Sequence, residues 1–213
     1  MKVDLHSHTA DHSACSTVSA VEMVRAAKAR GLDGLVISDH HHHLTDAERR
    51  ALQRAVPGIR VFRGTEIGVG RIHGRDAEWE DLVVVSGVPC PHVASVPADQ
   101  VDRLGDFVRR TGALTILAHP FRWEGGAMML GRGLRPNALE YRTCNQDPAR
   151  TTGAVATSRN LRLPLVNAGD VHSLEMINRF WIETAQPLQA AGDIRQVILD
   201  RTYRNCARDD KEG

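Results

Sequence analysis

Short apolar runs recur along almost the whole chain, separated by amphipathic or polar stretches. These runs lack the alternation of apolar and polar positions that is typical of a strand with one solvated face. Uninterrupted apolar runs of this length predict strands that are buried on both faces. Seven of them are evident, at residues 2–5, 35–37, 59–62, 82–85, 114–118, 139–141 and 164–168. An eighth, more peripheral strand is predicted at residues 180–183.

The stretches between these runs predict helices. Ser19 with Glu22, and Thr45 with Glu48, have the spacing of a capping box, which marks the start of a helix. Further helices are predicted near residues 97–110, 151–159 and 194–201. Two glycine-rich segments interrupt the alternation: residues 68–80 are predicted to form a surface excursion, and residues 121–136 a long mobile loop.

Strands that alternate with helices favour a parallel sheet covered by helices. Seven such units predict a single-domain α/β barrel, smaller than the usual eight-unit barrel, over residues 1–203. Residues 204–213 are polar, and we predict a C-terminal tail that frays. In such a barrel the carboxyl end of every strand faces one opening, here called the mouth.

The composition argues against some classes of binding partner. The formal charge is +1, so no strong field favours binding to a long nucleic acid or to an anionic membrane. No apolar stretch approaches the roughly 20 residues of a membrane span, and the first residues do not resemble a signal peptide. The four cysteines are scattered, which is typical of reduced thiols in a cytoplasmic protein.

Histidines and carboxylates follow the predicted strands directly. His6 and His8 come after the first strand, and residues two apart in an extended segment project to the same side. A neutral imidazole is a good ligand for zinc, iron or manganese. Because all the strand ends meet at the mouth, five more candidate ligands should converge there: His40, Glu66, His119, Asp170 and His172.

The segments that carry these residues read, in chain order, DLHSHT, SDH, GTE, AHP and GDVHS. They resemble the motifs of the polymerase and histidinol phosphatase (PHP) family, and the resemblance spans nearly the whole chain. It implies a distorted seven-stranded barrel with two or three divalent metal ions, used to hydrolyse phosphoesters. Zinc, manganese and iron all suit a mixed set of imidazoles and carboxylates.

The resemblance also implies which residues share a metal ion. His6, His8, Glu66 and Asp170 would hold the first, and Glu66 would bridge to a second near His119. His40 and His172 would hold a third, together with a ligand from the loop after His8.

Two ligand positions are ambiguous in this chain. For the loop ligand we favour His12, with Asp11 and Cys15 as alternatives. The family often has a histidine directly after the fourth strand, where this chain has Ser86-Gly87-Val88. His92 lies a few residues further on and is our candidate for that role.

Three residues are predicted to act in catalysis. Glu66 would hold two ions that activate a water molecule, and His172, or else His40, would protonate the leaving group. Arg122 would contact phosphate oxygens, ahead of Arg132 and Arg142. Glu140 is a further candidate for a buried carboxylate that points to the mouth.

The predicted substrate is a small phosphorylated molecule, and the sequence leaves the oligomeric state open. An amidohydrolase-type metal hydrolase is a rival function, but that type uses a metal-bridging lysine. The chain has only Lys2, Lys28 and Lys211, none of them at a predicted strand end that faces the mouth. Two further rival functions are an exonuclease that acts on short nucleic acid ends, and a degenerate barrel that keeps metal for stability alone.

Overall fold

Strands and helices alternate along the chain from its first residues. The structure is a computed structural model that describes residues 1–71, 78–91, 95–97, 100–122 and 128–208. Within these ranges it contains ten strands and six α-helices: β1 (Lys2–Asp4), α1 (Ala20–Ala29), β2 (Gly34–Ile37), α2 (Asp46–Ala55), β3 (Arg60–Arg71), β4 (Glu78–Val85), β5 (Ser95–Val96), α3 (Val101–Thr111), β6 (Leu114–Leu117), α4 (Met128–Gly131), β7 (Ala138–Arg142), α5 (Thr151–Leu161), β8 (Leu165–Asn167), β9 (Phe180–Thr184), α6 (Ala191–Leu199) and β10 (Tyr203–Ala207).

One sheet curls into a nearly closed barrel. Its strand order is β10-β9-β1-β2-β3-β4-β6-β7-β8, with β5 paired to β3. The segments that follow β1 and β8 meet at a parallel bridge between Ser7 and Val171. Beside this bridge, the amide of His8 donates a hydrogen bond to the carbonyl of Val171 over 2.9 Å. The barrel is therefore closed at the point where its two ligand-bearing segments come together.

The predicted barrel of seven parallel strands was wrong in two respects. The sheet has ten strands among the described residues. Seven of them were predicted as barrel strands and β9 as the peripheral eighth, whereas β5 and β10 were not predicted. In addition, β4 is antiparallel to both β3 and β6. The cause is a long hairpin: β3 continues to Arg71, and β4 already begins at Glu78. Residues 68–71 and 78–80, predicted as a surface excursion, are thus paired strands.

Apolar side chains of the strands fill the interior of the barrel. Val3, Val36, Val83 and Ile116 belong to one buried cluster. The apolar face of α6 packs onto this cluster, and Ile194 is completely buried there. The barrel interior is therefore solid, and its polar residues are concentrated at the mouth.

The starts of two helices confirm the sequence analysis. Both predicted capping boxes form, Ser19 with Glu22 at α1 and Thr45 with Glu48 at α2. Because these motifs depend only on residues three apart, they can be recognised without knowledge of the fold.

The predictions for the C-terminal segment and for the loop at residues 121–136 need correction. Residues 204–207 belong to β10, which pairs with β9 over its whole length, so this part of the predicted tail lies in the sheet. Residues 209–213 of the predicted tail lie outside the described residues. The loop at residues 121–136 contains the short helix α4. All four cysteines are free. None of the helices in the described part of the chain combines the length and the apolar character that crossing a membrane requires.

Candidate metal centre

The segment after β1 presents two imidazoles to the mouth because its backbone is fixed on both sides. Ser7, between them, bonds across to β2 and the residue after it: its hydroxyl donates to the carbonyl of Val36, and its amide donates to the hydroxyl of Ser38. This pairing keeps the segment extended, so His6 and His8 project to the same side. Both are completely buried, and their Nε2 atoms are 2.9 Å apart.

Glu66 occupies the centre of the mouth and directs its two oxygens to different imidazoles. Its Oε2 lies 3.1 Å from Nε2 of His8, 3.3 Å from Nε2 of His40 and 3.4 Å from Nε2 of His6. Its Oε1 lies 3.2 Å from Nε2 of His119. A carboxylate with each oxygen in a separate group of donors is placed to bridge two metal ions.

Asp170 adds a second buried carboxylate on the side of His6 and His8. Its Oδ1 lies 3.4 Å from Nε2 of both histidines. Its Oδ2 is buried without a hydrogen-bond partner. A buried carboxylate oxygen without a donor is costly, and a bound cation would remove that cost.

The backbone around Asp170 is tightly constrained. Asp170 has a φ of 50°, in the left-handed region, where an aspartate is uncommon. The side-chain amide of Asn145 holds this turn by donating to the carbonyl of Asp170 over 2.7 Å. Gly169 has no room for a side chain, since a Cβ there would lie 2.3 Å from Oδ2 of Asp4. Strain of this kind is found at sites where side-chain direction matters.

Glu140 fixes the orientation of His6 from outside the centre. Its Oε1 lies 2.7 Å from Nδ1 of His6, and its Oε2 accepts a hydrogen bond from the amide of His119 over 2.6 Å. A proton on Nδ1 of His6 is thereby held by the carboxylate, which leaves the Nε2 lone pair for the mouth. The structure thus places Glu140, completely buried, behind the ligands rather than among them.

A residue that the sequence analysis did not identify lies beside His119. The Oδ2 atom of Asp81 is 3.8 Å from Nε2 of His119, and these two residues form a group with Glu66. Asp81 precedes the apolar run of β4, and we expected only the end of that strand to face the mouth. Because β4 is antiparallel, its amino-terminal half faces the mouth and Ser86 lies at the other end. His92, our candidate for this role, lies outside the described residues.

Cys15 lies with His8 and His172 in another group of potential ligands, whose donor atoms are within 4.8 Å of one another. The Nδ1 atom of His172 is 2.9 Å from the carbonyl of Asp170. A proton on Nδ1 would bond to that carbonyl and leave Nε2 available as a ligand.

The three candidates for the loop ligand lie in different places in the structure. Cys15 lies beside the mouth, whereas Asp11 accepts a hydrogen bond from the amide of Ala20 at the start of α1. His12 stacks on His42, outside the mouth. The turns of the loop between β1 and α1 determine which of these side chains lies beside the mouth. Spacing along the sequence does not predict those turns.

His40 and His172 both approach His8. The ring of His40 stacks on that of His8 with centroids 4.6 Å apart, and the ring of His172 does so at 4.5 Å. His40 shares a group with His8 and Glu66, and His172 shares one with His8 and Cys15. Arg122 is exposed in the turn after His119, where its amide donates to the His119 carbonyl over 3.1 Å.

The buried charges of the centre depend on one another. Burial opposes charge on His6, but Glu66, Asp170 and Glu140 outweigh it and raise the pKa of His6 well above its ordinary value. Burial likewise opposes charge on His119, yet Glu66 raises its pKa to about 9. Burial disfavours ionisation of Glu66 too, but His6 and His119 hold its pKa well below the ordinary range. The centre thus gathers positive charge around its carboxylates, and divalent cations would supply the same charge.

Burial has the largest effect on the pKa of His40. It lowers the pKa of His40 to about 4, with only partial compensation from Glu66. His40 is therefore neutral at neutral pH, which is the form that binds metal. Imidazoles, carboxylates, a thiol and the unsatisfied oxygen of Asp170 fit the binding of divalent metal ions.

Comparison of the sequence with known families and proteins gives one partial match. A model for a family of unknown function, DUF6282, matches residues 2–67. No curated protein sequence matches the chain.

Solved structures show the same fold over the whole chain. PsfC from Pseudomonas syringae PB-5123 is 18% identical with a TM-score of 0.67, and the match covers 97% of this chain and 91% of that one. A two-domain protein from Bacteroides vulgatus ATCC 8482, which contains a predicted PHP-like metal-dependent phosphoesterase, is 14% identical with a TM-score of 0.62, covering 98% of this chain and 65% of that one. An amidohydrolase from Chromobacterium violaceum, with bound sulfate and no metal, is 15% identical with a TM-score of 0.60, covering 100% of both chains. The chain therefore has a PHP-like barrel fold.

Proposed function

We propose that this protein is a metal-dependent phosphoesterase that hydrolyses small phosphomonoesters or phosphodiesters. The observation that carries the proposal is the position of Glu66 between two sets of ligands, with Oε2 facing His8 and Oε1 facing His119. Carboxylate-bridged sites of this kind suit displacement at phosphorus, where the attacking and the leaving oxygen both carry charge.

Two sets of residues would hold the ions. His6, His8, Glu66 and Asp170 form the first set, and Glu66, Asp81 and His119 form the second. His172 and Cys15 extend the first set outwards through His8 and offer a third position. When bound, divalent ions would supply Lewis acidity and positive charge for hydrolysis at near-neutral pH.

The protein's own residues would select and handle a phosphate. Arg122 is exposed in the turn after His119, and a guanidinium matches phosphate oxygens in a bidentate manner. The pKa of His172 is lowered, chiefly by burial, so its neutral form prevails at neutral pH. We propose that His172 donates a proton to the leaving group when the third position is empty, after it has taken up a proton itself.

The described lysines do not favour a lysine-bridged amidohydrolase-type site. Lys2 lies over the ring of Trp181, at 5.7 Å from its centroid. Lys28 donates to the carbonyl of Pro57 over 2.6 Å. Neither contact places an amine near Glu66 or His119, and Lys211 lies outside the described residues.

An assay of the reconstituted protein tests the reaction class. The metal-free protein would be loaded separately with zinc, manganese or iron and assayed against phosphomonoesters, phosphodiesters, short oligonucleotides, amides and lactones. We expect hydrolysis of at least one small phosphoester. Cleavage of amides or lactones without any phosphoester would instead support an amidohydrolase-type enzyme, and preference for oligonucleotide ends would support a nuclease.

Arg122→Ala separates substrate binding from metal binding. It should raise KM for the phosphoester while leaving metal content unchanged, since its proposed role is to contact the substrate. Arg159→Ala, in α5, is a matched control.

A further inference from the structure

A second cluster of potential ligands lies outside the mouth and serves no part of the proposed hydrolysis. It comprises His12 in the loop after β1, His42 in the loop after β2 and Glu48 in the first turn of α2, and is here called the rim group. Each side chain is partly exposed, by 31%, 26% and 36% respectively. None of its three residues belongs to the other groups of potential ligands found among the described residues.

The geometry of the rim group brings two imidazole nitrogens to one carboxylate. Nε2 of His12 lies 3.3 Å from Oε1 of Glu48, and Nε2 of His42 lies 3.2 Å from Oε2. The two rings stack with centroids 3.6 Å apart and planes inclined by only 16°. The donor atoms of the three side chains lie within 4.8 Å of one another, close enough to share one cation.

The backbone positions Glu48 in advance. Its Oε2 accepts hydrogen bonds of 2.7 Å from both the amide and the hydroxyl of Thr45, the capping residue of α2. Oε1 is left to face His12. Burial alone would raise the pKa of Glu48, but the bonds from Thr45 and the neighbouring His42 lower it to about 2. Glu48 is therefore an ionised ligand whose orientation does not depend on a metal ion.

We propose that the rim group is a separate binding site for one zinc ion or a similar divalent transition metal ion. Two neutral imidazoles and one carboxylate form a donor set that zinc, copper and nickel favour over calcium or magnesium. Three protein ligands leave a fourth position for water. A bound ion would fasten the loop after β1, which also carries Cys15, to the start of α2. This site does not depend on the function proposed for the mouth.

Zinc alone is a sufficient probe. The metal-free full chain would be titrated with zinc in competition with a chromophoric chelator, and circular dichroism would check the fold of each variant. His42→Gln should bind one equivalent less than the unaltered protein. Glu48→Gln should do the same while keeping α2 intact, because glutamine can replace glutamate in a capping box. His41→Gln is the matched control, since His41 is adjacent in sequence but lies outside the rim group.

Loss of one equivalent in His42→Gln and Glu48→Gln, with none lost in His41→Gln, would support the site. Equal zinc content in all four proteins would overturn it and leave the rim group as a hydrogen-bonded cluster only. An equal loss in His41→Gln would also overturn it, because zinc would then bind the histidine run without a defined site. If His42→Gln does not fold, Glu48→Gln alone decides by the same comparison.

Discussion

Oε1 of Glu140 lies 2.7 Å from Nδ1 of His6, although the two residues are 134 positions apart in the chain. Both side chains are completely buried. The contact joins β7 to the segment after β1, and it fixes which nitrogen of His6 faces the mouth. The orientation of a ligand therefore depends on the closure of the barrel and not on local sequence.

Glu140→Gln should weaken metal binding without unfolding the protein. A glutamine can still accept from Nδ1 of His6, but its amide nitrogen would then face the amide of His119, so one bond is lost. Replacing such a partner typically lowers metal affinity by about 10- to 100-fold. Competition titration with a zinc chelator measures the change. Glu183→Gln, on β9, is the control and should leave the affinity unchanged; a Glu140→Gln variant that also binds normally would contradict the assigned role.

Asp81→Asn should remove the metal ion nearest His119. Asp81, Glu66 and His119 form one group, and an amide is a poorer ligand than a carboxylate. We expect metal content to fall by one equivalent per chain in elemental analysis after reconstitution. His92→Gln provides the contrast. If it lost that equivalent and Asp81→Asn did not, the sequence-based candidate would be correct and the structural one wrong.

Asp81 and Cys15 show why the sequence predicts only part of the centre. His6 and His8 follow a strand directly, so the period of two places them together without knowledge of the fold. Asp81 faces the mouth only because β4 runs antiparallel, which the hairpin with β3 determines. Cys15 lies at the mouth in place of His12 because of the turns of one loop. The position of a ligand at a strand end is thus predictable, whereas strand direction and loop path depend on contacts distant in sequence.

Gly169→Ala should destabilise the protein and weaken metal binding through Asp170. A Cβ would lie 2.3 Å from Oδ2 of Asp4 and 2.5 Å from Cγ2 of Val171, so the turn must shift. Overpacking of this kind costs about 1–3 kcal/mol of the free energy of unfolding, measurable by urea denaturation. Gly192→Ala is the control, because a Cβ there meets nothing within 4 Å. Equal stabilities of the two variants would argue against the close approach of Asp4.

His43 should make the metal-free protein less stable in mild acid. Burial, with the charge of Arg63, lowers the pKa of His43 to about 4, although the nearby backbone of Ser86 acts in the opposite direction. In the unfolded chain a histidine titrates near pH 6.5, so between about pH 6.5 and pH 4 the unfolded state binds more protons. The contribution of His43 to the free energy of unfolding should therefore fall as the pH falls through this window, by at most about 3 kcal/mol.

His43→Gln isolates this contribution. Urea denaturation of the metal-free protein at pH 7.5 and pH 5 should show a smaller loss of stability in the variant than in the unaltered chain. Parallel losses in the two proteins would show that His43 does not titrate in this way.

The metal content of Glu66→Gln tests whether Glu66 bridges two metal ions. Glu66 faces His8 with one oxygen and His119 with the other, so we expect it to be a ligand shared by two ions. After reconstitution with zinc and removal of excess metal, the unaltered protein should carry at least two equivalents in elemental analysis. Glu66→Gln should lose two of them together with phosphoester hydrolysis. If Glu66→Gln retained the full metal content, or lost only one equivalent, the bridged centre would be contradicted.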